Sequence, residues 1–400
     1  MFSYKTFIMK RLYFLYASLV LFSCSNKNDI AIVVNIKNDL PFDRIYETVE
    51  VDVSHLNPSE KELVVFDAEK SEQIISQLVD NNLDGQMDVL LFQPQIPGNV
   101  EKVFYINYSN SPQLLETHCY SRFVPERTDD YAWENNRVAF RTFGPTAQKM
   151  IEENIKGGTL TSGIDAWLKR VEYPIINKWY KQHLSGEASY HIDNGEGLDN
   201  FHVGASRGIG GIAIKTKESY ATSKNFVNWK TITNGPIRTS FELTYDNWEA
   251  NGKIISEKKI ISLDYGQNLS KFLIKLEGVK TISTGITLHK KEGEITANSN
   301  NGWISYWEPH DGSALGMGIV TNVKNVNGVD EYISNVKDKS NLFLELNRSD
   351  NGLFSYYAGF GWKKSGQFDS KDEWNNYLEH FAQCLESPLQ VSIIAQNKQL

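Results

Sequence analysis

Short apolar runs and period-two alternation recur along the chain, so the pattern predicts strands far more often than helices. Ile30-Ala31-Ile32-Val33-Val34 is a continuous apolar run, while Thr48 to Val53 alternates as a half-buried strand does. Val89–Phe92 and Val103–Ile106 follow, then the polar stretch Ser109-Asn110-Ser111-Pro112. Beyond it the pattern predicts strands over 137–143, 189–193, 237–245, 254–263, 269–277, 303–307, 315–321 and 340–346. Helical spacing occurs twice. Ile164, Trp167, Leu168, Val171, Ile175 and Trp179 recur with it, broken or kinked at Pro174. Ser370 and Glu373 form a capping box ahead of Trp374, Tyr377, Leu378 and Phe381. The fold class is therefore all-β with a few helices. A small N-terminal β-sandwich over 31–112 is expected, followed by a large β-rich domain over 113–400.

The N-terminus reads differently. Met9-Lys10-Arg11 is followed by the apolar run Leu12 to Phe22, too short to span a bilayer. It ends in Leu21-Phe22-Ser23-Cys24, the bacterial lipobox pattern. Residues 1–23 are expected to be a lipoprotein signal peptide, Cys24 the lipidated residue and 24–30 a tether. This places the protein at the bacterial cell envelope, touching membrane through its lipid alone. About 375 residues then remain, more than one core usually carries.

A formal net charge of −8 argues against nucleic acid, which demands a basic footprint. Two cysteines remain after Cys24, Cys119 and Cys384, and spacing alone does not say whether they pair. Aromatics make up 12% of the chain, which suits both a β-rich core and the stacking of sugar faces. Asp80-x-Asn82-x-Asp84-Gly85 has the oxygen spacing of a calcium loop, but Leu91 stands where an EF-hand needs a bidentate carboxylate. A hairpin turn explains the same letters, with a weak structural calcium as the other reading. No further cofactor is expected.

Polar residues concentrate in a few stretches. In Asp129–Arg141, a strand over 137–143 would project Arg137 and Arg141 from one face, near Trp133 and Glu134. Paired guanidiniums there would seat a carboxylate or sulfate. The stretch Tyr190-His191-Ile192-Asp193-Asn194-Gly195-Glu196-Gly197-Leu198-Asp199-Asn200-Phe201-His202 is dense in proton carriers. It matches no zinc or iron spacing but suits general acid–base work, with Tyr190, His191 and His202 as candidates. Gly204 to Gly211 reads as a flexible glycine turn presenting Arg207, and Trp303–Asp311 is a weaker cluster containing Glu308 and His310.

The runs Asp129–Arg141 with Gly144-Pro145, Gly163–Trp167 with Lys169-Arg170-Val171 and Tyr173-Pro174, and Tyr190-His191 with Gly195–Asp199 carry a further signal. In these the chain resembles domain-of-unknown-function family 4861, over roughly residues 35–395. The resemblance implies an exported protein of polysaccharide-degrading bacteria with a β-sandwich catalytic region. Similar members are dehydratases of ulvan oligosaccharides, removing water from a terminal uronic acid to leave a 4,5-unsaturated sugar. That elimination needs a base for the C5 proton, an acid for the departing 4-hydroxyl and cations facing the carboxylate. Tyr190, His191 and His202 are the expected proton carriers, with Trp133, Glu134, Arg137, Arg141 and Arg207 binding an acidic oligosaccharide. Two alternatives stay open: a glycoside hydrolase using carboxylates among Glu134, Asp193 and Glu196, and a non-catalytic glycan-binding lipoprotein.

Overall fold

The computed structural model describes residues 30–56, 62–109 and 115–396. The signal segment and the lipobox Cys24 lie outside the described residues, as does most of the polar stretch expected to divide the chain. The body is built from antiparallel sheets, in keeping with the all-β pattern.

Near the N-terminus a five-stranded sheet runs in the order Gln390–Gln396, Ile30–Lys37, Glu101–Ser109, Glu62–Asp67, Glu72–Ile74. It faces a three-stranded sheet of Val49–Asp52, Val89–Phe92 and Ser76–Val79. Alternation sorts the residues: Val49 and Val51 are buried, Glu50 and Asp52 exposed. Ile32, Val34, Leu90, Phe92, Phe104 and Ile106 fill the space between the sheets. The chain from 113 to 400 does not all lie beyond this sandwich, because its last strand returns to pair with Ile30–Lys37. Residues 80–88 connect Ser76–Val79 to Val89–Phe92 as a hairpin loop. There the Asp80 carboxylate accepts the amides of Leu83 and Gly85, Asn82 accepts that of Asp84, and Asp84 that of Gln86.

The larger part centres on an eight-stranded sheet: Phe226–Thr233, Arg238–Tyr245, Glu257–Asp264, Leu269–Leu276, Phe354–Trp362, Ser313–Val320, Trp303–His310, Glu294–Asn298. Its inner face packs on a five-stranded sheet containing Ile209–Lys215, Thr281–Thr287, Asn341–Asn347 and Val326–Tyr332. A further sheet runs Gly197–Leu198, Asp165–Lys169, Ala139–Thr142, Asp130–Glu134, Tyr120–Val124, and gives Tyr131, Trp133, Phe140 and Leu168 to the same core. Its other face, with Ala132, Ala139 and Trp167, is covered by helix α2, Ile176–Ser185, through Ile176, Trp179 and Tyr180. The remaining α-helices among the described residues are α1, Pro145–Glu152, with Pro in its first turn, and α3, Lys371–Glu386. Ser370 caps α3 by accepting the Glu373 amide, and Glu373 reaches back to the amide of Asp369.

Three local expectations change. Asp165–Lys169 is a strand, not the start of a helix: all five residues are buried, and a strand covered on both faces loses its alternation. No strand forms over 189–193, where Ser189 and Asp193 turn their side chains onto the amides of His191, Gly195 and Gly197 and so compete with a ladder. The strand expected from 137 begins at Ala139, because Asn135 accepts the amides of Arg137 and Val138 and closes a turn.

Candidate active site

His191, Asn200 and His202, from the segment connecting α2 to Ile209–Lys215, line both of two adjoining clefts. One, about 870 Å³, is completed by His289, Lys290, Glu308, His310, Lys337 and Asp338. The other, about 580 Å³, is completed by Arg127, Arg141, Phe143, Asp165, Asp199 and Phe201. The strand ends bring these groups together. His310 and Ser313 pair across the turn Asp311-Gly312, whose φ angles of 47° and 69° are those of a tight hairpin. His289 stands two residues beyond the end of strand Thr281–Thr287.

Hydrogen bonding fixes the ring nitrogens. His191 Nδ1 lies 2.7 Å from the Asp199 carbonyl, which can only accept, so Nδ1 carries the proton. The Asp199 carboxylate is 3.6 Å from the same nitrogen. Nε2 is thereby left as the basic nitrogen, on a side chain 53% exposed in the cleft. His202 Nε2 donates to Asp338 at 3.0 Å, leaving Nδ1 open. His289 is held at both nitrogens, by Glu308 at 2.6 Å and by the His202 carbonyl at 2.7 Å. Two acceptors demand two donors, so this ring is an imidazolium. Burial works against its charge, but Glu308 and the His202 carbonyl outweigh it and hold its pKa above the ordinary imidazole value. His310 goes the other way: burial lowers its pKa, and Nε2 donates to Asn200, whose amide is in turn held by Asp311.

Behind His191 lies a buried charge cluster. Arg141 donates to Asp165 and Asp199, each at 2.9 Å, with Asp130 at 3.8 Å. One guanidinium among three carboxylates leaves negative charge to be neutralised. Burial accordingly pushes the Asp130 carboxyl up to about 6 and the Asp165 carboxyl well above the usual carboxylate range, despite Arg141. Arg141 is thus committed to the protein and fixes Asp199 behind His191. The freer guanidinium is that of Arg127, which donates through Nε to the Tyr190 hydroxyl at 3.2 Å and through Nη1 to Thr128. Its Nη2 makes no hydrogen bond among the described residues, and the residue lines the smaller cleft.

The other residues expected in the site are placed elsewhere. Tyr190 is buried, stacked on His183 at 3.9 Å, and reaches the site through Arg127. Trp133 is fully buried, its indole N–H on Ser270, so no sugar can stack on it. Glu134 is likewise buried, paired with Lys169 at 2.8 Å and accepting the amides of Ile175 and Ile176 at the start of α2. Arg137 sits in the turn before Ala139, donates to Asn268 at 2.6 Å, and does not share a strand face with Arg141. Arg207 is buried among neutral acceptors, Ser162, Thr161 and the Ile212 carbonyl, and burial lowers its pKa to about 10. Asp193 pairs with Arg170, and Glu196 is bound by Lys178 and Tyr173, so neither lines either cleft. Gly197 has φ +110°, and a Cβ there would strike the Leu168 carbonyl; this glycine serves strand pairing. Among the described residues no group of three or more His, Cys, Asp or Glu is placed to hold a metal. Cys119 and Cys384 are both free thiols.

Sequence reading missed Arg127, His289, Lys337 and Asp338, which reach the site only through the fold. The chain belongs to the family of the domain of unknown function DUF4861, whose model matches residues 36–391. It is 49% identical over 389 residues to a Formosa agariphila protein described as uncharacterized protein P7, covering 96% of this chain and 98% of that one. Its fold is similar to the crystal structure of a protein in the glycosyl hydrolase family 38 from Enterococcus faecalis, with a TM-score of 0.51 at 10% identity. That likeness covers 92% of this chain but only 48% of the other, so the chain spans about half the length of that structure.

Proposed function

We propose that this protein is a carbohydrate-active lyase of the dehydratase type, eliminating water from a terminal uronic acid of an acidic oligosaccharide. The observation that carries the reading is His191: its Nδ1 proton is committed to the Asp199 carbonyl, so Nε2 faces the cleft as a proton acceptor. In this reading Nε2 takes the C5 proton, the electrons of that C–H bond form the C4=C5 double bond, and the C4–O bond breaks. The leaving hydroxide departs as water by taking the Nδ1 proton of His202 in its imidazolium form, whose Nε2–H is anchored by Asp338. Arg127 on one side and the Lys290 and Lys337 ammonium groups on the other supply positive charge for the uronate carboxylate as charge develops on it. The likeness to the glycosyl hydrolase family 38 protein adds only architecture; the substrate class rests on the cationic groups of the cleft. Hydrolysis by Glu134, Asp193 and Glu196 is disfavoured because all three are held by basic partners outside the cleft. Attachment to the cell envelope through Cys24 is part of the same proposal and rests on the lipobox.

Incubation with uronate-terminated oligosaccharides, followed by mass spectrometry and ultraviolet absorbance, tests it. The proposal expects a product lighter by one water that absorbs as a conjugated unsaturated uronate. A product split by addition of water would replace this reading with hydrolysis, and absence of turnover with binding would leave a glycan-binding protein.

A further inference from the structure

A further cavity, about 450 Å³, lies on the face of the eight-stranded sheet turned away from the core. Its walls are the segment 42–50, the outward residues Asp264, Leu269, Lys271 and Tyr357 of the sheet, and α3. The volume falls within the roughly 300–1,000 Å³ typical of small-ligand sites. We infer that this cavity is a separate binding site for an uncharged sugar ring, a mono- or disaccharide unit stacked on Tyr46.

Three observations carry the inference. The first is the ring itself. Tyr46 is 42% exposed, yet it is seated on Gly266, where a Cβ would come within 2.4 Å of the ring. Its carbonyl accepts from the Gln93 and Gln267 side chains. An exposed aromatic clamped by its backbone and by a glycine is a prepared stacking surface rather than a loop tip, and Phe42, Tyr357, Tyr377 and Phe381 extend the aromatic wall.

The second is the charge. Arg238 pairs with Glu50 and Asp264, and Arg44 with Glu47; with Asp43 and Lys271 the lining holds three cationic and four anionic side chains. A cavity with no excess of positive charge offers no net attraction to an anion, which separates its ligand from that of the histidine cleft. The third is the set of groups left over. The Tyr357 hydroxyl makes no hydrogen bond among the described residues, and Lys271 makes no ion pair, lying near Asp264, which is already engaged by Arg238. A hydroxyl and an ammonium in a cavity lined by aromatic rings match the two characters of a pyranose: apolar C–H faces for the rings, hydroxyl oxygens for the donors.

The site shares no lining residue with the clefts around His191, and the inference stands whether or not the elimination does. Saturation-transfer NMR on the intact protein, with methyl α-rhamnopyranoside, xylobiose, cellobiose and mannobiose as probes, tests it. At least one probe is expected to receive saturation, with binding about tenfold weaker in Tyr46→Ala, retained in Tyr46→Phe and weakened in Lys271→Ala. Turnover in the histidine cleft should be unchanged in all three variants. Transfer to none of the four probes, or equal transfer in Tyr46→Ala, would overturn the inference. So would a hydrophobic dye bound in the cavity that none of the four sugars displaces.

Discussion

His191 was legible as a candidate because six potential proton carriers crowd into thirteen residues around it. What the sequence could not show is which ring nitrogen is free, since that depends on a carbonyl eight positions on. Arg137 and Arg141 illustrate the opposite failure. Both carry the right chemistry, but three aspartates claim Arg141, and Arg137, held by Asn268 through Nε, lines neither cleft. Arg127, which the sequence does not mark, has a nitrogen to spare. Arg137→Lys should therefore leave turnover near that of the wild type. Arg127→Lys should lose much of it, since an ammonium cannot hold Tyr190 and a carboxylate at once. Steady-state rates on a uronate oligosaccharide would show this, and equal losses in both variants would contradict the assignment.

Among the elements, alternating strands such as Thr48–Val53 were readable, whereas Asp165–Lys169 was mistaken for helix. A strand buried on both faces loses its period, and its apolar run merges with that of the helix beyond Pro174. The start of α2 depends on Glu134, which no local capping rule would supply, since it arrives from another strand. Glu134→Gln would leave the fully buried Lys169 ammonium without its anion. Removing one partner of a buried pair costs about 3–5 kcal/mol, so urea denaturation should find a loss of that order. A loss near zero would mean that Lys169 is neutral in the folded protein.

At the scale of the whole molecule, the chain's last strand closes its first sheet, pairing Val34 with Ile393 and Ile36 with Val391. Sequence reading had no access to this, because nothing local in 390–396 names its partner. Truncation after Leu389 should expose the backbone edge of Ile30–Lys37, and hydrogen exchange of those amides should rise. Unchanged protection would mean that the N-terminal sandwich holds without it. The pH dependence is also a property of the assembled clefts. His289 has a folded pKa above its ordinary value of 6.5, so its contribution to stability is fully present below 6.5 and is lost as pH rises through the folded value. The Tm difference between the wild type and His289→Gln should therefore shrink with rising pH; growth in the difference would contradict a raised His289 pKa.

Turnover and Tm measured on the same samples of wild type and His191→Ala decide whether His191 acts as a base. Loss of one general base should lower the rate by roughly 10²–10⁴-fold. Because the ring is half exposed, Tm should barely move. An early-melting variant with normal turnover per folded molecule would make His191 part of the scaffold and contradict the proposed site.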